Sequence, residues 1–115
     1  MISAGLHWQK TWRPVELYVD SGAAYTILRA QVAEAMGFDL TKGRQVLVQV
    51  GDGALIPVYL HDLPMQIGRA QFTAPVGFSP KLGVPFNLLG RFGVFEKFRI
   101  CFHEKRKVVS FQLVR

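Results

Sequence analysis

At 115 residues, half of them apolar, the chain has the length for one hydrophobic core and not for two, so residues 1–115 are expected to form a single domain. Its 14 Lys and Arg against 8 Asp and Glu leave a net charge of +6, but the cations are scattered, and the one dense run, His103-Glu104-Lys105-Arg106-Lys107, reads as a solvated turn between two strands, which argues against a nucleic-acid partner. The single cysteine, Cys101, excludes an internal disulfide, and no stretch approaches the roughly 18 apolar residues of a spanning helix, so a cytoplasmic protein with no membrane segment is expected.

In chain order, the first dozen residues, MISAGLHWQKTW, do not make a convincing strand. Pro14 to Val19 alternates loosely and stops at Asp20, which reads as a strand running into a loop. Arg29 to Met36 puts Val32, Ala33 and Met36 on one side and ends at Gly37, the pattern of a short helix. Gln45 to Val50 and Leu55 to Leu60 flank Gly51-Asp52-Gly53 and predict a hairpin. Short strands follow at Met65 to Ile67, Gln71 to Val76, Phe98 to His103 and Lys107 to Val114, with a helical turn or two over Leu89 to Phe95. The fold is therefore expected to be mainly β, with one or two short helices and no internal repeat.

Asp20 is the residue with the strongest claim to chemistry. It sits where the apolar run Leu17-Tyr18-Val19 gives way to Ser21-Gly22, a place that holds a carboxylate in a loop at the edge of the core. Read locally, an Asp-Ser-Gly is a turn with a solvated carboxylate. The remaining candidates read more plainly. His7, His61 and His103 lack metal-ligand spacing, so neither a metal nor another cofactor is implied. Cys101 lies between Ile100 and Phe102 and is expected to be a buried, inert thiol, while Asp52 and Asp62 are expected in turns.

A second stretch changes the reading of Asp20. In order along the chain come Tyr18-Val19-Asp20-Ser21-Gly22-Ala23, the hairpin around Gly51-Asp52-Gly53, and Leu88-Leu89-Gly90-Arg91. Together they resemble the retropepsin-like aspartic proteases, the single-domain relatives of pepsin that include the retroviral proteases, and the likeness runs from about Val15 to Val114. The resemblance implies a closed β-barrel of the acid-protease fold. It further implies that Asp20 is the catalytic aspartate of a homodimeric endopeptidase, in which the Asp20 carboxylates of two chains activate a water against a peptide bond.

By the same resemblance Ser21, Gly22, Ala23, Leu89, Gly90 and Arg91 support the active-site loop, and Val50, Gly51, Asp52, Gly53 and Ala54 form the tip of a flap over the peptide substrate. Two positions depart from the family pattern. Ala24 stands where retroviral members carry an acidic partner for the Arg, which leaves Asp39, Glu96 or no residue in that role, and Phe92 stands where many relatives have a polar residue. Those departures motivate an alternative: a catalytically weak or inactive retropepsin-like module for dimerisation or peptide binding.

Overall fold

The computed structural model of the chain describes residues 1–37, 39–49 and 53–114. The predicted tip residues Val50, Gly51 and Asp52 lie outside the described residues.

The chain opens with an antiparallel pair, β1 (Ile2–Trp8) and β2 (Thr11–Val19), in register from Ile2 opposite Leu17 to Trp8 opposite Thr11. The expectation that the first dozen residues are not a strand is therefore corrected. Ala4 and Leu6 of β1 and Val15, Leu17 and Val19 of β2 face the core at every second position. The turn between them uses Gln9 and Lys10, both at positive φ (49° and 66°), a conformation that lets the two strands keep their twist across a two-residue connection.

After the Asp20 loop come β3 (Thr26–Arg29) and the helix α1 (Ala30–Met36), which buries Ala30, Ala33 and Met36. Gly37 ends it at φ 79°, its N–H shared between the carbonyls of Ala33 and Glu34. A 3₁₀ turn, Leu40–Lys42, leads into the hairpin of β4 (Arg44–Gln49) and β5 (Leu55–Ile67), with Gln49 opposite Leu55. β6 (Ala70–Ser79) returns along β5, and β7 (Asn87–Leu89) ends at Gly90.

β5 is one strand of thirteen residues, not two short ones, and Asp62 and Pro64 lie inside it, opposite Pro75 and Thr73. Its buried side chains change parity on the way: Ile56, Val58 and Leu60 face a smaller apolar cluster with Ile27 and Leu82, while Leu63, Met65 and Ile67 face the main core. The strand divides the interior, and β6 is buried on both faces where it crosses at Val76 to Ser79.

The main sheet runs β1-β2-β7-β3-β6-β5-β4, and β5 also pairs with β1 at Gly5 and Leu6, closing six strands into a barrel with β4 outside it. Leu6, Leu17, Leu28, Met65, Phe78 and Leu89 fill the barrel. Beyond β7, the expected helical turn reduces to a single 3₁₀ turn, Phe95–Lys97. β8 (Phe98–His103) and β9 (Val108–Leu113) then form a separate two-stranded sheet joined by the charged turn at 104–107. This hairpin is anchored by Phe98, whose ring meets those of Phe72 and Phe111 edge-on. Cys101 faces out of it and is exposed, which corrects the expectation of a buried thiol.

Candidate active site

Two strands that lie side by side deliver both predicted motifs to one place. β2 runs parallel to β7, with Val19 beside Leu89, and the pairing continues past the strand end as Asp20 N–H donates to the Leu89 carbonyl at 3.0 Å. Asp20 then turns on itself. Its carboxylate oxygen Oδ1 accepts from Gly22 N–H at 2.9 Å, and its carbonyl accepts from Ala23 N–H at 3.2 Å. A side chain at position 22 would begin 3.2 Å from that same carboxylate oxygen, so glycine leaves Asp20 uncrowded. Asp20 is half-buried, while Ser21 and Gly22 are exposed at the loop's crest.

The second motif ties down the far side of the loop. Arg91 N–H donates to Ala23 O at 3.0 Å and Phe92 N–H to Ala24 O at 2.8 Å. Gly90 passes directly under the Tyr25–Thr26 peptide, where any Cβ would collide with the Tyr25 carbonyl group. Its N–H donates to the hydroxyl of the fully buried Thr26 at 3.1 Å, which removes a cost of about 1–3 kcal/mol for a buried, unpaired donor.

Of the acidic substitutes considered for Arg91, neither is engaged with it. Glu96 accepts from Gly93 N–H at 2.8 Å, and Asp39 accepts from the Thr41 hydroxyl at 2.6 Å and the Thr41 N–H at 2.9 Å. Those two bonds, the hydroxyl first, hold the Asp39 carboxyl below its usual range. Arg91 Nε instead reaches the Ala23 carbonyl at 3.4 Å, and its guanidinium lies 6.0 Å from the centre of the Phe92 ring. That ring meets Tyr25 edge-on at 5.0 Å.

Above the loop is a cleft of about 900 Å³. Asp20, Gly22, Ala23 and Ala24 form one side; Leu47, Val48 and Gln49 of β4 face them; and Leu82, Val84 and Phe86 close the end. The hairpin arm is thus part of the cleft wall, and of the predicted tip residues Gly53 adopts φ 87° while Ala54 is exposed. Among the described residues of this wall the titratable groups besides Asp20 are the phenols of Tyr18 and Tyr25, so this part of the cleft suits an apolar, uncharged chain segment. The Tyr18 and Phe86 rings meet at a 34° tilt with centroids 5.2 Å apart. Among the described residues no group of three or more His, Cys, Asp and Glu side chains is placed to hold a metal ion.

Several residues that matter here carry no motif of their own. Thr26 is marked in the sequence only by being polar inside the run Tyr25-Thr26-Ile27-Leu28. Asn87, just before Leu88-Leu89-Gly90, staples three segments: its Oδ1 accepts from Arg29 N–H at 2.8 Å and its Nδ2 donates to Glu16 O at 3.2 Å. A polar side chain wedged in Pro85-Phe86-Asn87-Leu88-Leu89 was the available signal.

This architecture has known counterparts. The crystal structure of a retropepsin-like aspartic protease from Rickettsia conorii matches with a TM-score of 0.67 at 23% identity, over 90% of this chain and 75% of that one, a likeness that establishes the fold. The aspartyl protease family profile matches residues 9–91, which include both the Asp20 loop and the Gly90 turn, and the chain belongs to that family. No curated protein sequence matches the chain. Among the described residues no helix is long and apolar enough to cross a membrane.

Proposed function

We propose that the protein is an aspartic endopeptidase that works as a homodimer, each single-domain chain contributing Asp20. The observation that carries this reading is the placement of Asp20 on a loop fixed to the Gly90 turn, in the wall of a largely apolar cleft of about 900 Å³. One chain offers one such carboxylate, and a second copy related by a two-fold axis supplies the other.

Two carboxylates about 3 Å apart do not both ionise readily, so the pair holds a single proton. The ionised member removes a proton from a water between them, and that water attacks the scissile carbonyl while the protonated member donates to the carbonyl oxygen. Collapse of the tetrahedral species, with proton transfer to the leaving nitrogen, breaks the C–N bond. Gly22 and Ala23 leave room for the substrate backbone, Ser21 braces one loop against the other, and the β4–β5 hairpin closes over the peptide as a flap. The single cysteine fits a reducing, cytoplasmic setting.

An Asp20→Asn variant tests this. Incubated with a diverse peptide mixture, the wild-type chain should cleave and should be blocked by a statine-type transition-state mimic, whereas the variant should fold, sediment as the wild type does, and cleave nothing. Full activity in the variant would remove Asp20 from the reaction. A dimer that binds peptides without cutting them would instead favour the non-catalytic module.

A further inference from the structure

Phe92 is difficult to explain by packing. It is 46% exposed on a turn, between Gly90, which must be glycine to pass under Tyr25, and Gly93, which adopts φ 76°. Its neighbour Arg91 is exposed as well, and the first firm anchor beyond them is the buried Val94. This short segment nevertheless holds the exit of the Asp20 loop: Arg91 N–H and Nε both donate to Ala23 O, and Phe92 N–H donates to Ala24 O.

What fixes the segment's own side chains is a set of ring contacts. The Phe92 ring meets Tyr25 at 88° with centroids 5.0 Å apart, and the Arg91 guanidinium sits 6.0 Å from the centre of the Phe92 ring. Tyr25 is the residue whose peptide rests on Gly90, so the same contact bears on both ends of the crossing.

We propose that Phe92 is a positioning residue for Asp20: its edge-on contact with Tyr25 clamps the Ala23–Tyr25 exit of the loop to the Gly90 turn, a task performed by aromatic contact in place of an ion pair. The consequence for catalysis rests on the reading of Asp20 given above. The clamp acts through Ala23, whose N–H closes the turn on the Asp20 carbonyl, so a loosened turn at residues 91 and 92 is felt as a misaligned carboxylate.

Two variants of the full chain separate this role from simple burial. Phe92→Leu keeps an apolar side chain and loses the ring, while Phe92→Tyr keeps the ring. Phe92→Leu should lower kcat about tenfold with KM within about twofold, keep Tm within about 2 °C, and shift or broaden the Gly22 and Ala23 amide signals in 1H–15N NMR spectra. Phe92→Tyr should match the wild type in every one of these. Wild-type amide signals in Phe92→Leu would overturn the proposal, as would an equal loss in Phe92→Tyr or an unfolded Phe92→Leu, which would make the ring a core residue. The amide signals decide the matter even if the wild-type chain cleaves no peptide, an outcome that would count against the protease reading alone.

Discussion

On one side of the cleft the Asp20–Ala24 loop is held by backbone hydrogen bonds to residues 89–92 and by the buried hydroxyl of Thr26. On the other, β4 is an edge strand whose Leu47 is 64% exposed, and it rests on the smaller apolar cluster through Val46 and Val48. The floor is tied to a second chain segment by hydrogen bonds and a close backbone crossing, whereas the facing wall is laddered to one neighbour, β5, and meets the rest of the molecule through apolar contacts. That contrast is what a site needs if it must align a carboxylate and still admit a substrate, and it makes the two sides respond differently to damage.

The largest effect should come from Gly90→Ala. A methyl group there meets the Tyr25 carbonyl directly, so we expect a loss of about 3 kcal/mol or more in chemical denaturation, together with loss of the aligned loop. A stability change under about 1 kcal/mol would mean that the crossing gives way easily and that the floor is no more rigid than the wall.

Thr26→Val should rank next. The substitution keeps the shape but leaves Gly90 N–H buried without its partner, for an expected cost of about 1–3 kcal/mol. Denaturation of this variant beside Gly90→Ala tells whether hydrogen bonding or steric fit dominates the floor.

The smallest effect belongs to the facing wall, at the root of β4. Asp39 caps the 3₁₀ turn through Thr41, and its folded carboxyl is held below the unfolded range. A depressed carboxyl stabilises the fold above the unfolded value and loses that contribution as pH falls through the folded one. Because Asp39 is fully exposed the effect is small: acidification should lower the protection of Thr41 N–H, measured against the intrinsic exchange rate at each pH, while leaving the protection of Gly90 N–H unchanged. A parallel loss of protection at both amides would erase the contrast.

The sequence showed the floor far better than it showed the frame around it. Asp20-Ser21-Gly22-Ala23 and Leu89-Gly90-Arg91 are legible because each position carries a local demand, whether a turn, a missing Cβ or a donor, and the structure brings the two runs into direct contact. β1 was hidden because its turn relies on Gln9 and Lys10 at positive φ, without the Asn or Gly that normally announces such a turn. β5 was cut in two because its buried face switches between Leu60 and Leu63, which breaks the alternation that defines a strand to the eye. The exposure of Cys101 depended on which face of the β8–β9 hairpin meets the barrel, and a short apolar run does not specify that.

The closing contact of the barrel gives the molecule a seam. β1 pairs with β2 along its whole length, whereas among the described residues its ladder to β5 consists of Gly5 and Leu6, with Leu6 as the buried peg. The β1–β2 hairpin can therefore swing away from β5 as one leaf, keeping its own ladder, and such an opening would start at the edge farthest from β7. Because β2 runs out at Val19 directly into Asp20, that carboxylate stands on the hinge side of the leaf, where the barrel would be the last to part.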